Sequence, residues 1–175
     1  KDDNAEEAEK AKKAEEAKVA ELAKSKNSKS KNYAKATTTS VDPSGNLNGM
    51  AVSIPVNGSI SSRFGSRSSI RSTIHTGLDI ATSSGTGIRP IASGTVVYAA
   101  YRGSYGKLII IDHGNGVQSY YAHCSAIYVT PGQTVDTSTT ISAVGSTGNS
   151  TGPHLHLEIR LNGYAKNPQN YLYNR

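Results

Sequence analysis

Three runs of β-branched and aromatic residues, TVVYAAY (95–101), KLIIID (107–112) and VQSYYAHC (117–124), follow one another across gaps of a few residues. Such side chains suit a pleated, half-buried surface. The gaps contain RGSYG and HGNG, both turn sequences. Strands joined by connections this short run antiparallel. TTISAVG (139–145) and HLHLEIRL (154–161) extend the pattern, and nothing after Val52 keeps a helical period. Residues 51–175 are therefore expected to form one all-β domain, mainly an antiparallel sheet and long enough to bury a core.

The chain before that domain is different in kind. Residues 1–24 are nearly all Ala, Glu and Lys, strong helix formers. Alanines at 5, 8, 11, 14, 17, 20 and 23 recur every three residues, so their stripe winds around a helix of 3.6 residues per turn. It cannot keep one seam toward a partner. The segment reads as a solvated helical or disordered spacer, and residues 25–50, rich in Ser, Lys, Asn and Thr, as a flexible linker. These two segments hold the hydrophobic share of the whole chain down to 35%.

The net charge is +6, and scattered arginines with no recognition motif argue against a nucleic-acid partner. The excess suits anionic polymers such as acidic lipids or cell-wall material. The single cysteine excludes an internal disulfide. The chain starts at Lys1 without initiator Met or hydrophobic anchor, so an upstream segment, a membrane anchor among the options, is expected to have been removed.

Four of the five histidines fall in informative contexts: His75-Thr-Gly-Leu-Asp79, His123, and His154-Leu-His156. Alternate residues of an extended chain share a face. His75 and Asp79 therefore point the same way, with only Gly77 between them on that face. His154 and His156 share a face likewise, while Leu155 and Leu157 point into the core. Two imidazoles and a carboxylate make poor core filler, because buried polar groups need partners. As a set of three protein ligands, two imidazoles and a carboxylate fit a catalytic Zn2+ with a fourth position open.

In their surrounding words these residues resemble a known family. SSRFGSR, HTGLDIA, GTGIRPIASGTVV, YGKLIIIDHGNG, YYAHCSAIYVTPGQTV and GSTGNSTGPHLHLEIR look like successive blocks of the lysostaphin-type (LytM-like) zinc peptidases, family M23. The resemblance covers about residues 60–172. It implies an antiparallel β-sheet with a substrate groove over the metal. It also implies a zinc endopeptidase that hydrolyses peptide cross-links of peptidoglycan outside the cytoplasm, secreted, wall-associated or as an anchored ectodomain. Carried over by motif, His75, Asp79 and His156 are the metal ligands; His123 and His154 are the catalytic histidines, their division of acid and base work left open. Gly87, Pro90, Cys124 and Ser138 depart from the usual residues and touch none of these positions.

Two other readings stand beside it. Some family members act as non-catalytic modules on partner proteins, which intact ligand and catalytic positions argue against. A structural zinc site in a wall-binding protein needs a fourth protein ligand, and no spaced Cys or His offers one.

Other residues carry plainer expectations. Cys124 is expected as a small buried hydrophobe, and His113 as part of the Asp112–Gly116 turn. Glu158 is expected as a surface charge, with orientation of His156 the alternative. Among the tyrosines, alternation places Tyr121 on the His123 face and Tyr120 on the other. The loop Ser146–Gly152 suits a groove wall. Arg67 and Arg71, in a stretch before His75 without Tyr, favour carboxylate-bearing stem peptides over glycine bridges as substrate.

The drifting alanine stripe has no face to bury. Deleting residues 1–45 should leave the melting temperature unchanged within a degree or two. A fall of about 5 °C, roughly 1 kcal/mol for a domain of this size, would show that the tail docks.

Overall fold

The computed structural model describes residues 47, 50–67 and 74–173; the Ala/Glu/Lys segment, most of the linker and Arg71 lie outside the described residues. The elements are β1 (Ser59–Ser62), β2 (Leu78–Ala81), β3 (Gly87–Ile88), β4 (Gly94–Tyr101), β5 (Lys107–Gly114) and β6 (Val117–Cys124). After them come β7 (Ala126–Ile127), β8 (Thr134–Val135), β9 (Ser142–Ala143), β10 (His154–Leu161), β11 (Tyr164–Lys166) and a single helical turn, α1 (Gln169–Leu172). Eight strands form an antiparallel sheet in the order β1-β2-β10-β6-β5-β4-β8, with β11 on β10, and β3-β9-β7 form a small second sheet. The expected antiparallel all-β architecture is the one found.

Alternation along β10 explains how the sheet builds both a core and a site. Leu155, Leu157, Ile159 and Leu161 are buried in the main apolar cluster. They pack there with Ile109 and Ile111 of β5, Leu78 and Ile80 of β2, and Ile88, Ile141 and Val144 around the small sheet. Burying each such side chain is worth about 1.5–3 kcal/mol. That drive fixes which way β10 faces. His154, His156, Glu158 and Arg160 then lie on the opposite face.

The core reaches back to Leu47, which is 1% exposed and accepts a hydrogen bond from Met50 N–H through its carbonyl. Packing thus begins a few residues inside the stretch read as linker. The outer face of the sheet carries a smaller cluster of Tyr98, Leu108, Ile110 and Ala122, flanked by Tyr105 and Tyr120. The Arg160 guanidinium covers the Tyr120 ring at 4.6 Å, and Arg102 covers Tyr98 at 5.6 Å.

Strict alternation fails at His123. Lys107 pairs with Cys124 and Ile109 with Tyr121, so Ala122 and His123 together oppose Leu108, a β-bulge. His123 takes a φ of 60°, the left-handed region. One extra residue restores Cys124 to the core face beside Tyr121, where both are fully buried. Cys124 is the buried hydrophobe expected, its thiol pushed up to about 11 chiefly by burial. The tyrosines are the reverse of the expectation. Tyr121 lies in the core, Tyr120 flanks the outer cluster, and the bulge alone turns His123 to the outer face.

His113 also does something other than shape its turn. Its Nδ1–H donates to the Ser93 carbonyl at 2.8 Å, leaving Nε2 to accept from the Ser119 hydroxyl at 2.7 Å. Ser119 Oγ lies 2.9 Å from the Tyr121 hydroxyl, which accepts from Ile91 N–H at 2.9 Å. With the rotors turned one way, each proton in this chain has an acceptor. Protonating His113 at Nε2 would turn Ser119 around and leave the Tyr121 proton unpaired in the core.

Burial holds His113 below its ordinary value of 6.5, partly offset by the Ser93 carbonyl and by Asp112. The unfolded chain therefore binds a proton more readily than the folded one. The stabilisation is complete above about pH 6.5 and is lost as pH falls from there toward the lower folded value. Urea unfolding at pH 7.5 and pH 5.5 should show a larger loss for the wild type than for His113→Gln. Equal losses would mean that this histidine does not carry the dependence.

Candidate metal centre and active site

Three neighbouring strands deliver the site. On β2 and β10, Asp79 stands directly across from His156, and His156 in turn faces Ala122 of β6, next to the bulged His123. His75 precedes β2 and reaches the same point. Its Nε2 lies 3.0 Å from Asp79 Oδ1 and 3.0 Å from His156 Nδ1, and His156 Nδ1 lies 2.9 Å from the same carboxylate oxygen. All three residues are buried. Gly77 makes the approach possible, as the spacing suggested: a Cβ there would strike the Leu157 carbonyl and sit 2.9 Å from the His156 ring.

The outward atoms of the rings determine what the inward atoms are. A carbonyl or carboxylate oxygen can only accept, so a ring nitrogen facing one must donate. His75 Nδ1 faces the Arg63 carbonyl at 2.9 Å, and His156 Nε2 faces Glu158 Oε1 at 2.9 Å. The other nitrogen of each ring is then a lone pair. Two nitrogen lone pairs and a carboxylate oxygen thus converge, their ligand atoms all within 4.8 Å of one another. Such a group repels itself unless a positive charge sits among its members.

The proton affinities carry the same demand. When a proton on one of the rings supplies that charge, burial pushes Asp79 up, yet hydrogen bonds from His156 and His75 outweigh it and hold the carboxyl well below the usual range. Burial opposes a charged His156, yet the bonds to Asp79 and Glu158 raise it. A divalent cation answers that demand, and two imidazoles with a carboxylate match zinc's ligand preferences.

His123 and His154 flank this centre. The ring of His154 lies 4.8 Å from that of His123, whose ring lies 5.8 Å from that of His156. Each has an outward Nδ1–H on a carbonyl: His123 on Thr147 at 2.7 Å, His154 on Gly152 at 2.8 Å. Both leave Nε2 as a lone pair, and that of His154 lies 3.7 Å from Asp79 Oδ2. Burial is the main reason that His123 is lowered to about 4, so it is neutral at pH 7. All five residues singled out in the sequence therefore meet at one place.

Glu158 is not the surface charge expected. It is 0% exposed and accepts from Thr76 Oγ1 at 2.6 Å, Tyr105 Oη at 2.9 Å and His156 Nε2. Arg160 holds its second oxygen at 2.7 Å. Burial raises the carboxyl, but His156, Thr76 and Arg160 bring it down to about 2. The signal for this role was present, since Glu158 lies two residues beyond His156 on a central strand. Thr147 and Tyr105 carried no such signal. The loop Ser146–Gly152 is tied down at Ser104 by Asn149 N–H and at Gly152 by the Ser150 hydroxyl, so it makes a fastened rather than a loose wall.

Known proteins are similar to this chain in sequence and in fold. The sequence is 46% identical over 95 residues to the DD-carboxypeptidase/endopeptidase Mpg of Neisseria meningitidis, covering 54% of this chain and 22% of that protein. It is 47% identical over 98 residues to the murein hydrolase activator NlpD of Escherichia coli, covering 55% and 25%. The chain thus spans about a quarter of the length of the curated relatives it matches. A zinc-containing peptidase from Vibrio cholerae superposes with a TM-score of 0.64 at 28% identity, over 67% of this chain and 39% of that one. The profile of Peptidase family M23 matches residues 73–168, more than half of the 175 residues. By that match, and with its histidines and aspartate brought together as described, the chain belongs to peptidase family M23.

Proposed function

We propose that this domain is a zinc-dependent endopeptidase that hydrolyses peptide cross-links of bacterial peptidoglycan outside the cytoplasm. The observation that carries the proposal is the set of four histidines, each with its outward nitrogen engaged, three of them with the other nitrogen toward Asp79 and the fourth, His123, packed against His154 and His156. His75, Asp79 and His156 would hold the zinc. Bound there, zinc polarises a carbonyl and makes a water acidic enough to ionise near neutral pH.

The remaining work falls to the chain's own groups. His123, kept neutral by burial, can accept a proton at Nε2. His154 presents a second Nε2, its ring 4.8 Å from that of His123, and whichever ring has taken up a proton can deliver that proton to the departing amine. Once protonated, either ring can also stabilise negative charge on the carbonyl oxygen. The carbonyls of Thr147 and Gly152 keep both rings in the tautomer these transfers need. The positive charge of the chain favours an anionic wall polymer. Arg67, exposed before the first ligand, suits the carboxylates of a stem peptide.

The likeness to NlpD, named as a murein hydrolase activator, supports a second reading: a module that stimulates another wall enzyme. Purified peptidoglycan separates the two. The zinc-loaded protein should release new amino termini, chelation should stop the release, and added zinc should restore it. Failure to hydrolyse, together with acceleration of a separate wall hydrolase, would favour the activator.

Two variants test the roles. His75→Ala should lose the metal by elemental analysis. His154→Ala should keep it and lose about a hundredfold in rate, the usual scale for a general acid or base. Near-normal turnover in the latter would remove His154 from the mechanism.

A further inference from the structure

His123 is the one member of the site whose direction is set by a bulge within a strand. Its bulge leaves the ladder between Lys107 and Cys124 open on one side, and the Thr147 side chain fills the opening. The Thr147 hydroxyl donates to the Cys124 carbonyl at 2.7 Å and accepts from Lys107 N–H at 3.1 Å. Those two residues are the pair that closes the bulge. The carbonyl of the same threonine accepts His123 Nδ1–H at 2.7 Å. One residue therefore stitches the backbone on both sides of the bulge and also holds the ring that the bulge turns outward.

Thr147 is itself seated by a contact that admits no side chains. A Cβ on Gly106 would run into the Thr147 backbone, and one on Gly148 would run into Gly106. Both glycines have positive φ, +64° and +75°. Asn149 N–H closes the contact on the Ser104 carbonyl at 2.9 Å. Two turns distant in sequence, Gly103–Gly106 and Thr147–Asn149, thus interlock at the carbonyl that fixes His123.

We propose that Thr147, seated by Gly106 and Gly148, is the positioning residue for His123: its hydroxyl locks the bulge and its carbonyl fixes the ring's tautomer and direction. The proposal rests on the reading of His123 as a catalytic histidine. Its geometric half does not depend on activity.

The test uses Thr147→Val, which keeps the shape and removes the hydroxyl, against Thr147→Ser, which keeps the hydroxyl. Four readouts apply to the zinc-loaded protein: metal content, melting temperature, maximal rate on purified peptidoglycan, and 15N NMR of the His123 ring. Thr147→Val should retain metal and a cooperative melt, and lose about tenfold or more in maximal rate, since small misplacements of an acid–base group can cost up to ~100-fold. Its His123 ring should show mixed tautomers. Thr147→Ser should stay within about twofold of wild type in rate, with a wild-type ring spectrum. Wild-type rate and ring spectrum in Thr147→Val would overturn the proposal. So would an Nε2–H tautomer for His123 in the wild-type protein, a measurement that stands even if the valine variant does not fold. A wild-type protein that hydrolyses nothing while its His123 shows the Nδ1–H tautomer would count against the peptidase reading and leave the positioning intact.

Discussion

Everything in this domain depends on the register of β10. Between β2 and β6 its two faces are committed to opposite chemistry, leucines and isoleucine inward, His154, His156, Glu158 and Arg160 outward. A slip of one residue would exchange the faces and put four polar side chains in the core. The apolar face therefore does more than stabilise. By fixing the register it sets His156 opposite Asp79, so the candidate metal centre is a cross-strand pair to which His75 is added.

The polar face must then satisfy itself. A buried carboxylate is costly unless paired and hydrogen-bonded. Glu158 meets both conditions through His156, Thr76, Tyr105 and Arg160. The result is a graded path of charge from exposed to buried: Arg160 neutralises Glu158, Glu158 sets the tautomer of His156, and His156 turns a lone pair toward Asp79. Carboxylates behind a metal-binding imidazole raise its basicity and fix its orientation. Neither carboxylate could stay ionised where it is without the groups on its other side.

The legible parts of this molecule are those that obey period two. Strands β4, β5, β6 and β10 could be read from their β-branched runs, and the shared face of His154 and His156 from their spacing. The convergence of His75, Asp79 and His156 was legible because the HxxxD and HxH words put metal-binding groups on single faces, and the resemblance added which His to assign to the metal. Period two misled at Tyr120 and Tyr121, because a bulge inserts a residue that no local pattern announces. Glu158 was misjudged for another reason: charge alone suggests exposure, and only knowing that β10 is central and covered by Tyr105 shows it to be buried. The clasp between Gly106 and Gly148 joins segments some forty residues apart, a fact of packing that composition does not encode.

The bulge at Ala122 and His123 has an implication for how this sheet trades order against use. A left-handed conformation at a non-glycine residue is disfavoured by roughly 1–2 kcal/mol. The ladder between β5 and β6 would be more regular with one residue fewer. Deleting His123 would give a smoother hairpin with its hydrophobic faces intact, yet β6 would present no imidazole beside His154 and His156. Selection for thermal robustness alone would thus tend to iron out the irregularity, and a stabilised descendant of this domain could remain well folded with its His75–Asp79–His156 cluster intact while lacking the ring proposed for acid–base work. Melting curves are therefore a poor proxy for function in this sheet.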